Sequence, residues 1–200
     1  LEPSPLNGFD LFNYMGLIVC ARARDYAEIT FKKFADELQA KYEAGQYAFG
    51  AAENEKCRVA WEGIAVWTYL GHTFKTLKKE GAVMVGSCYP GMWSLVYKPG
   101  DMLSMAEAYT KIYINTCLEN RANVLKETAE KSHSEGAVMH LNRSCKLMGF
   151  LNNEGGEYLT KELGIPYVSF DGDQTDPRNY SEAQYETRVQ ALVEMIQERK

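Results

Sequence analysis

Arg58-Val59-Ala60-Trp61-Glu62-Gly63 and Ala82-Val83-Met84-Val85-Gly86 are short apolar runs, each closing on glycine, with a helical stretch from Trp67 to Glu80 between them. A run of four to six apolar residues with no polar alternation reads as a strand buried on both faces. Strand, helix and strand in that order imply a right-handed crossover and a parallel sheet. The pattern continues downstream. Gly136 to His140 supplies a third run, Ser144 to Leu163 a helix, and Pro166 to Phe170 a fourth run introduced by Gly164 and Pro166. The sequence therefore predicts an α/β chain with four parallel strands near 58–61, 82–86, 136–140 and 166–170, in a flavodoxin-like or Rossmann-like layout.

Around this frame lie helices of different clarity. Phe9 to Cys20 is apolar and reads as one helix, and Asp25 to Tyr42 follows with Ala27, Phe31, Phe34 and Leu38 on one face. Asp25 and Glu28 have the spacing of a capping box. Residues 1–50 thus read as a helical segment, continuing from an upstream domain, ahead of a Rossmann-like domain at 51–200. A long helical crossover carries Met105, Tyr109, Ile112 and Thr116, then Leu118, Ala122, Leu125 and Ala129, with a bend expected near Asn120. The last helix is the plainest. Ser181 and Gln184 form a capping box, and Tyr185, Val189, Leu192 and Ile196 recur at helical spacing. Gly155-Gly156 interrupts the helix after the third strand, so either that helix kinks or something packs against its backbone.

Composition narrows the function classes. The chain has 200 residues, 46% apolar and 24% charged, with net charge −5. That excludes intrinsic disorder, and no apolar run is long enough to cross a bilayer. An acidic balance without a dense basic block gives a nucleic-acid backbone no purchase, so neither nucleic acid nor membrane is an expected partner. Five cysteines at 20, 57, 88, 117 and 145, with no Cys-x-x-Cys pair, fit a reduced, cytoplasmic setting. Cys20 and Cys117 sit in apolar helical contexts and read as packing residues. Cys57 falls at the opposite edge of the sheet from Cys88 and Cys145. His72 and His133 read as exposed.

Ligands of parallel sheets sit beyond the carboxyl ends of the strands, which selects four loops. They begin at Glu62-Gly63, at Cys88-Tyr89-Pro90-Gly91, at His140-Leu141-Asn142-Arg143-Ser144-Cys145-Lys146 and at Asp171-Gly172-Asp173-Gln174-Thr175-Asp176-Pro177-Arg178. In the third loop Ser144 reads as a helix N-cap. Cys145 then falls in the first turn, where free N–H groups and the cations of Arg143 and Lys146 favour a thiolate. Such a thiolate can hold a metal or attack an electrophile, while the plainer reading is a small buried residue beside solvated cations. The fourth loop has Asp171, Asp173, Thr175 and Glu182 at calcium-loop positions, but Asp176 stands where glycine is required. A polar active-site loop with Arg178 available to an anion, or a simple turn before a capped helix, accounts for it better.

The blocks His140 to Lys146, Gly164-Ile165-Pro166, Asp171 to Arg178 and Ala183-Gln184-Tyr185-Glu186-Thr187-Arg188 resemble the 2-hydroxyacyl-CoA dehydratase family, which includes benzoyl-CoA reductase subunits. The likeness covers roughly residues 55–200 and is greatest for α-type subunits, of which this would be the C-terminal half. It implies removal of water from an (R)-2-hydroxyacyl-CoA to give a 2-enoyl-CoA through a ketyl radical. It also implies a [4Fe–4S] cluster with Cys145 as one ligand and two further cysteines from an N-terminal half. Cys20, Cys57, Cys88 and Cys117 do not match those two positions. Implied site residues are Asn142, Arg143, Ser144 and Lys146 around the cluster, and His140, Asp171, Asp173, Gln174 and Arg178 around the substrate. Implied partners are a homologous β subunit, an ATP-dependent iron–sulfur activator and the acyl-CoA. The alternatives are a benzoyl-CoA reductase-type subunit and a non-catalytic Rossmann-like assembly module; a flavin site lacks the phosphate loop after the first strand.

Overall fold

The computed structural model describes residues 1–149 and 152–200. Four parallel strands, β1 (Cys57–Glu62), β2 (Ala82–Ser87), β3 (Gly136–Asn142) and β4 (Tyr167–Gly172), form one sheet in the order β2-β1-β3-β4. This agrees with the fold read from the sequence, with strand ends shifted by one or two residues. Register runs from Cys57 opposite Ala82 to Trp61 opposite Ser87, with one extra β2 residue near Val85. On the other side Val59 faces Gly136, and β3 pairs with β4 from Ala137–Tyr167 to Asn142–Gly172. Strand order reverses between β1 and β3, the place where sheets of this order keep their ligands.

The helices are α1 (Gly8–Asn13), α2 (Met15–Cys20), α3 (Asp25–Glu43), α4 (Leu70–Glu80), α5 (Cys88–Gly91), α6 (Met102–Thr110), α7 (Leu118–Lys131), α8 (Lys146–Gly149), α9 (Asn152–Leu163) and α10 (Glu182–Gln197). α1, α4 and α10 cover one face of the sheet, and α7 and α9 the other. The aromatic core lies on the first face. Phe9 and Phe12 of α1 meet Trp61 of β1 edge-on at 5.7 and 6.3 Å, and Phe170 of β4 meets Tyr185 of α10 at 4.7 Å. α1, α2 and the sheet therefore share one core.

α10 forms as its sequence predicts. The Ser181 hydroxyl accepts the Gln184 N–H at 3.4 Å, and Tyr185, Val189, Leu192 and Ile196 are fully buried. Each such side chain stabilises the fold by roughly 1.5–3 kcal/mol. Gly136 lets the helix approach, because a Cβ there would lie 2.7 Å from Ile196.

Several local expectations are corrected. The helix expected over Phe9 to Cys20 is two helices broken at Tyr14, whose ring turns out to stack on Phe34 of α3 at 4.4 Å. α3 starts from Arg24 with no side-chain cap, because Ala23 takes a left-handed turn (φ 59°) that leaves Asp25 already inside the helix. The crossover breaks at residues 111–117, well before Asn120. Cys20 and Cys117 are exposed, not packed. His72 is largely covered, with Nδ1 2.8 Å from the Tyr180 hydroxyl and Nε2 3.1 Å from Glu186. The helix expected from Ser144 to Leu163 begins only at Lys146, and its residues 150 and 151 lie outside the described residues. α9 runs unbroken through Gly155 and Gly156. Their backbone is what neighbours pack against, the Tyr167 ring lying where a Gly156 Cβ would stand.

Candidate functional site

β3 and β4 end side by side, and their exit loops are laced together by backbone and amide groups. Arg143 N–H donates to the Gly172 carbonyl at 3.0 Å, closing the ladder one residue beyond the strands. The buried Asn142 amide then joins the two loops: Oδ1 accepts the Ser144 hydroxyl and the Gln174 N–H, both at 3.3 Å. Its Nδ2 is buried without a hydrogen-bond partner among the described residues. Asn152, at the start of α9, donates to the His140 carbonyl at 2.7 Å from behind.

Cys145 is not where its sequence context suggests. Its N–H closes a tight turn on the Asn142 carbonyl at 3.2 Å, and its carbonyl accepts Gly149 N–H at 2.9 Å. Cys145 itself is thus the residue from which α8 starts. Ser144 is not the N-cap, since its hydroxyl is turned to Asn142. The thiol is half-buried, with the exposed cations Arg143 and Lys146 as its sequence neighbours.

Asp173 is 1% exposed and builds the β4 loop. Its Oδ1 accepts the N–H groups of Thr175 at 2.9 Å and Asp176 at 3.0 Å. Burial resists ionisation of this carboxyl, but those two N–H groups, with the Ser144 hydroxyl and N–H, outweigh it and hold it down to about 2. Asp171 pairs with Arg143 at 2.6 Å across the loops. Arg178 is turned away: it is 86% exposed and forks onto Asp176.

His140 has zero exposure. Its ring stacks on Phe170 at 5.1 Å, Nδ1 donates to the Ile64 carbonyl, and burial lowers its pKa to about 4. It is a neutral core residue that binds the β1 exit to β3, with no face open to a substrate. Two glycines make room for it: a Cβ on Gly63 (φ +106°) would meet its carbonyl at 2.6 Å, and one on Gly172 its Nε2 at 2.7 Å. Ala65 and Val66 are likewise unexposed. The crevice between β1 and β3 is therefore filled by residues 63–66, and the polar loops 142–146 and 171–174 form its outer rim.

A second buried group lies under this rim. Glu62, at the end of β1, is 1% exposed, 3.7 Å from Nη2 of Arg121, and faces Tyr113 and Cys88. Burial raises its carboxyl, with Tyr113 and Arg121 pulling the other way. Burial also raises the Cys88 thiol well above its ordinary value, and its sulfur lies 3.6 Å from the Thr128 hydroxyl on α7. Sequence reasoning gave Glu62 no role and missed Arg121, Tyr113 and Asn152. Arg121 was legible as a cation on the helix stripe of Ala122, Leu125 and Ala129, which demands a buried partner.

Among the described residues no three His, Cys, Asp or Glu side chains converge as a metal-holding group. None of the helices among the described residues is long and apolar enough to cross a membrane. Cys145 is the partly open thiol at the rim, and Cys57, pushed up to about 12 chiefly by burial, is at the far edge.

The chain matches the family described as 2-hydroxyglutaryl-CoA dehydratase, D-component, over residues 1–196, so the likeness also takes in the N-terminal helices ahead of residue 55. It is 62% identical over 198 residues to the lactoyl-CoA dehydratase subunit alpha of Anaerotignum propionicum, covering 98% of this chain and 46% of that one. It is 43% identical over 199 residues to the (R)-2-hydroxyisocaproyl-CoA dehydratase alpha subunit of Clostridioides difficile, covering 100% and 48%. Likeness to a benzoyl-CoA reductase subunit of Thauera aromatica is 26% over 157 residues, covering 76% and 36%. The chain thus spans just under half the length of the dehydratase subunits it matches. With a parallel sheet whose β3 exit presents Asn-Arg-Ser-Cys-Lys at the rim, and a family match over residues 1–196, the chain belongs to the 2-hydroxyglutaryl-CoA dehydratase D-component family.

Proposed function

We propose that this chain is part of the α subunit of a 2-hydroxyacyl-CoA dehydratase, in which Cys145 is one thiolate ligand of a [4Fe–4S] cluster. The observation that carries the reading is the half-buried Cys145 thiol at the β3 exit, on the turn that Asn142 closes, with Asn142 Nδ2 buried and without a partner among the described residues and the cations Arg143 and Lys146 as sequence neighbours. Identity of 62% and 43% to dehydratase α subunits over nearly the whole chain supports it. The donor set fits one corner of a cluster: a soft thiolate, a buried amide donor left over by the described residues, and positive charge to balance sulfide. The other two cysteine ligands belong to the remainder of the subunit.

When bound, the cluster supplies a low-potential electron for the thioester and an open iron that serves the carbonyl oxygen as a Lewis acid. The net reaction removes only water from an (R)-2-hydroxyacyl-CoA, so no oxidant or reductant is consumed. Asn142 anchors the rim through its Oδ1 and offers Nδ2 to a sulfur or substrate oxygen. Arg143 and Lys146 offset the anionic charge of a cluster and an acyl-CoA, with Asp171 holding Arg143 in place at 2.6 Å. Asp173 and Ser144 keep the two loops closed, and Gln174 ties the β4 loop to Asn142 through its N–H. His140 stays neutral and positions the β3 end. Arg178, being solvent-exposed, acts only once an anionic group reaches the outer loop.

A homologous β subunit and an ATP-dependent iron–sulfur activator complete the enzyme, and the free thiols suit a reduced, cytoplasmic setting. The benzoyl-CoA reductase-type reading is favoured less, the identity there being 26%. The assembly-module reading is decided by metal content. Anaerobic iron and acid-labile sulfide analysis of a full-length subunit carrying this sequence, with dehydration of (R)-lactoyl-CoA assayed alongside β subunit and activator, tests the proposal. Iron, sulfide and activity lost together in Cys145→Ala are expected; a cluster with unchanged spectrum in that variant refutes the ligand role.

A further inference from the structure

The buried Arg121 links three elements that the proposed chemistry does not otherwise connect. Its Nη1 donates to the Leu147 carbonyl at 2.6 Å, two residues past Cys145. Its Nη2 lies 3.7 Å from Glu62 at the end of β1, and its guanidinium carbon sits 4.9 Å over the Tyr113 ring. Arg121 is 4% exposed and Glu62 1%. Among the described residues neither Glu62 oxygen, nor Arg121 Nε, has a hydrogen-bond partner. A buried ion pair that makes no direct hydrogen bond gains little for stability, because desolvation of both charges is not repaid. What the arrangement does achieve is to fix a cation against the carbonyl of the Cys145 turn.

We propose that Arg121 is a positioning residue for the Cys145 turn, held between Glu62 as its counter-charge and Tyr113 as its platform. The bond to the Leu147 carbonyl orients the start of α8, and with it the half-buried Cys145 thiol. Delocalised charge on a planar guanidinium suits this task, since it can donate to a carbonyl, face a carboxylate and stack on a ring at once. The consequence for a cluster rests on Cys145 being its ligand, as proposed above; the consequence for the thiol itself does not.

The experiment uses a full-length subunit carrying this sequence and the variants Arg121→Met, Arg121→Lys and Glu62→Gln/Arg121→Met. Arg121→Met alone strands the Glu62 carboxyl and is the variant at risk of misfolding. The double variant removes both charges together and keeps a similar volume, while deleting the donor to Leu147 and the cation over the Tyr113 ring. In the metal-free protein, iodoacetamide modification of Cys145 is followed by peptide mass spectrometry, with the exposed Cys20 and Cys117 as internal references. The double variant is expected to modify Cys145 about tenfold faster, the equivalent of one lost hydrogen bond, with Cys20 and Cys117 unchanged and Arg121→Lys, which keeps the charge but not the planar fork, in between. In reconstituted protein the reduced cluster's electron paramagnetic resonance signal is expected to shift in the same variants. A folded double variant with unaltered Cys145 reactivity overturns the proposal, even if its melting temperature falls. A cluster that survives Cys145→Ala would defeat the ligand reading, leaving the alkylation result to decide the positioning role.

Discussion

Replacing Asp173 by asparagine isolates the charge that closes the β4 loop. The carboxylate accepts N–H groups from Thr175 and Asp176 at 2.9 and 3.0 Å, and its pKa lies at about 2 against an ordinary 3.8. Because the folded value is the lower one, the ionised group stabilises the fold fully above about pH 4, and that contribution is lost as pH falls toward 2. The difference corresponds to about 2.4 kcal/mol at neutral pH. Solvent just outside the loop trims this to about 2 kcal/mol. Asparagine has the shape of the protonated acid and keeps one oxygen acceptor, so it removes the charge and little else. Asp173→Asn is therefore expected to melt about 5 °C below wild type at pH 7 for a chain of this size. At pH 3 the deficit should shrink to about half. Circular-dichroism melts of both proteins at the two pH values, with sulfate added to keep them folded, give the comparison. An equal deficit at pH 7 and pH 3 would refute the reasoning, because it would show that shape rather than charge was lost. No deficit at pH 7 would show that the carboxylate is not held by those N–H groups.

Four other outcomes follow from particular contacts. His140 has its pKa lowered to about 4 by burial, so its contribution is present above its unfolded value of 6.5 and is lost as pH falls between the two. Stability should drop by up to about 1.4 kcal/mol per pH unit there, and urea titrations of His140→Gln should lack that component of the slope. Gly156→Ala gains roughly 1 kcal/mol of helix propensity in α9, but its Cβ would overlap the Tyr167 ring. A net loss of about 1–3 kcal/mol is expected from overpacking, and a rise in melting temperature would contradict the close approach. Ser181→Ala should cost about 1 kcal/mol as a lost N-cap, whereas Ser144→Ala, which caps no helix, should owe any loss to the Asn142–Asp173 loop and show it as higher protease sensitivity near residue 144.

Much of the fold was readable because β1, β3 and the first half of β2 are buried on both faces. Val59 to Trp61 and Val83 to Met84 are continuous apolar runs for that reason, and α10 carries its stripe and its Ser181 cap in adjacent residues. The readings that failed concern local signals outvoted by contacts distant in sequence. Phe9 to Cys20 looks like one helix until Phe9 and Phe12 must reach Trp61. The Ser144 hydroxyl looks like a cap until Asn142, fixed by the Gln174 N–H of another loop, takes it. His140 reads as a residue facing the substrate because polarity is visible in sequence and burial is not.

The sequence by itself determined the parallel α/β frame, the loops at its carboxyl edge and the motif around Cys145, since periodicity, glycine stops and ordered residue blocks are local properties. Only the tertiary structure decided which of those residues remain available. It buried His140 and Asp173 to hold loops, turned Arg178 to solvent, left Asn142 Nδ2 buried without a partner among the described residues, and left the Cys145 thiol half-buried. It also brought Glu62, Tyr113 and Arg121 together from three separate segments. The physical reason is that desolvation and hydrogen-bond satisfaction depend on every neighbour in space, and a strand order that reverses between β1 and β3 makes neighbours of residues more than seventy positions apart.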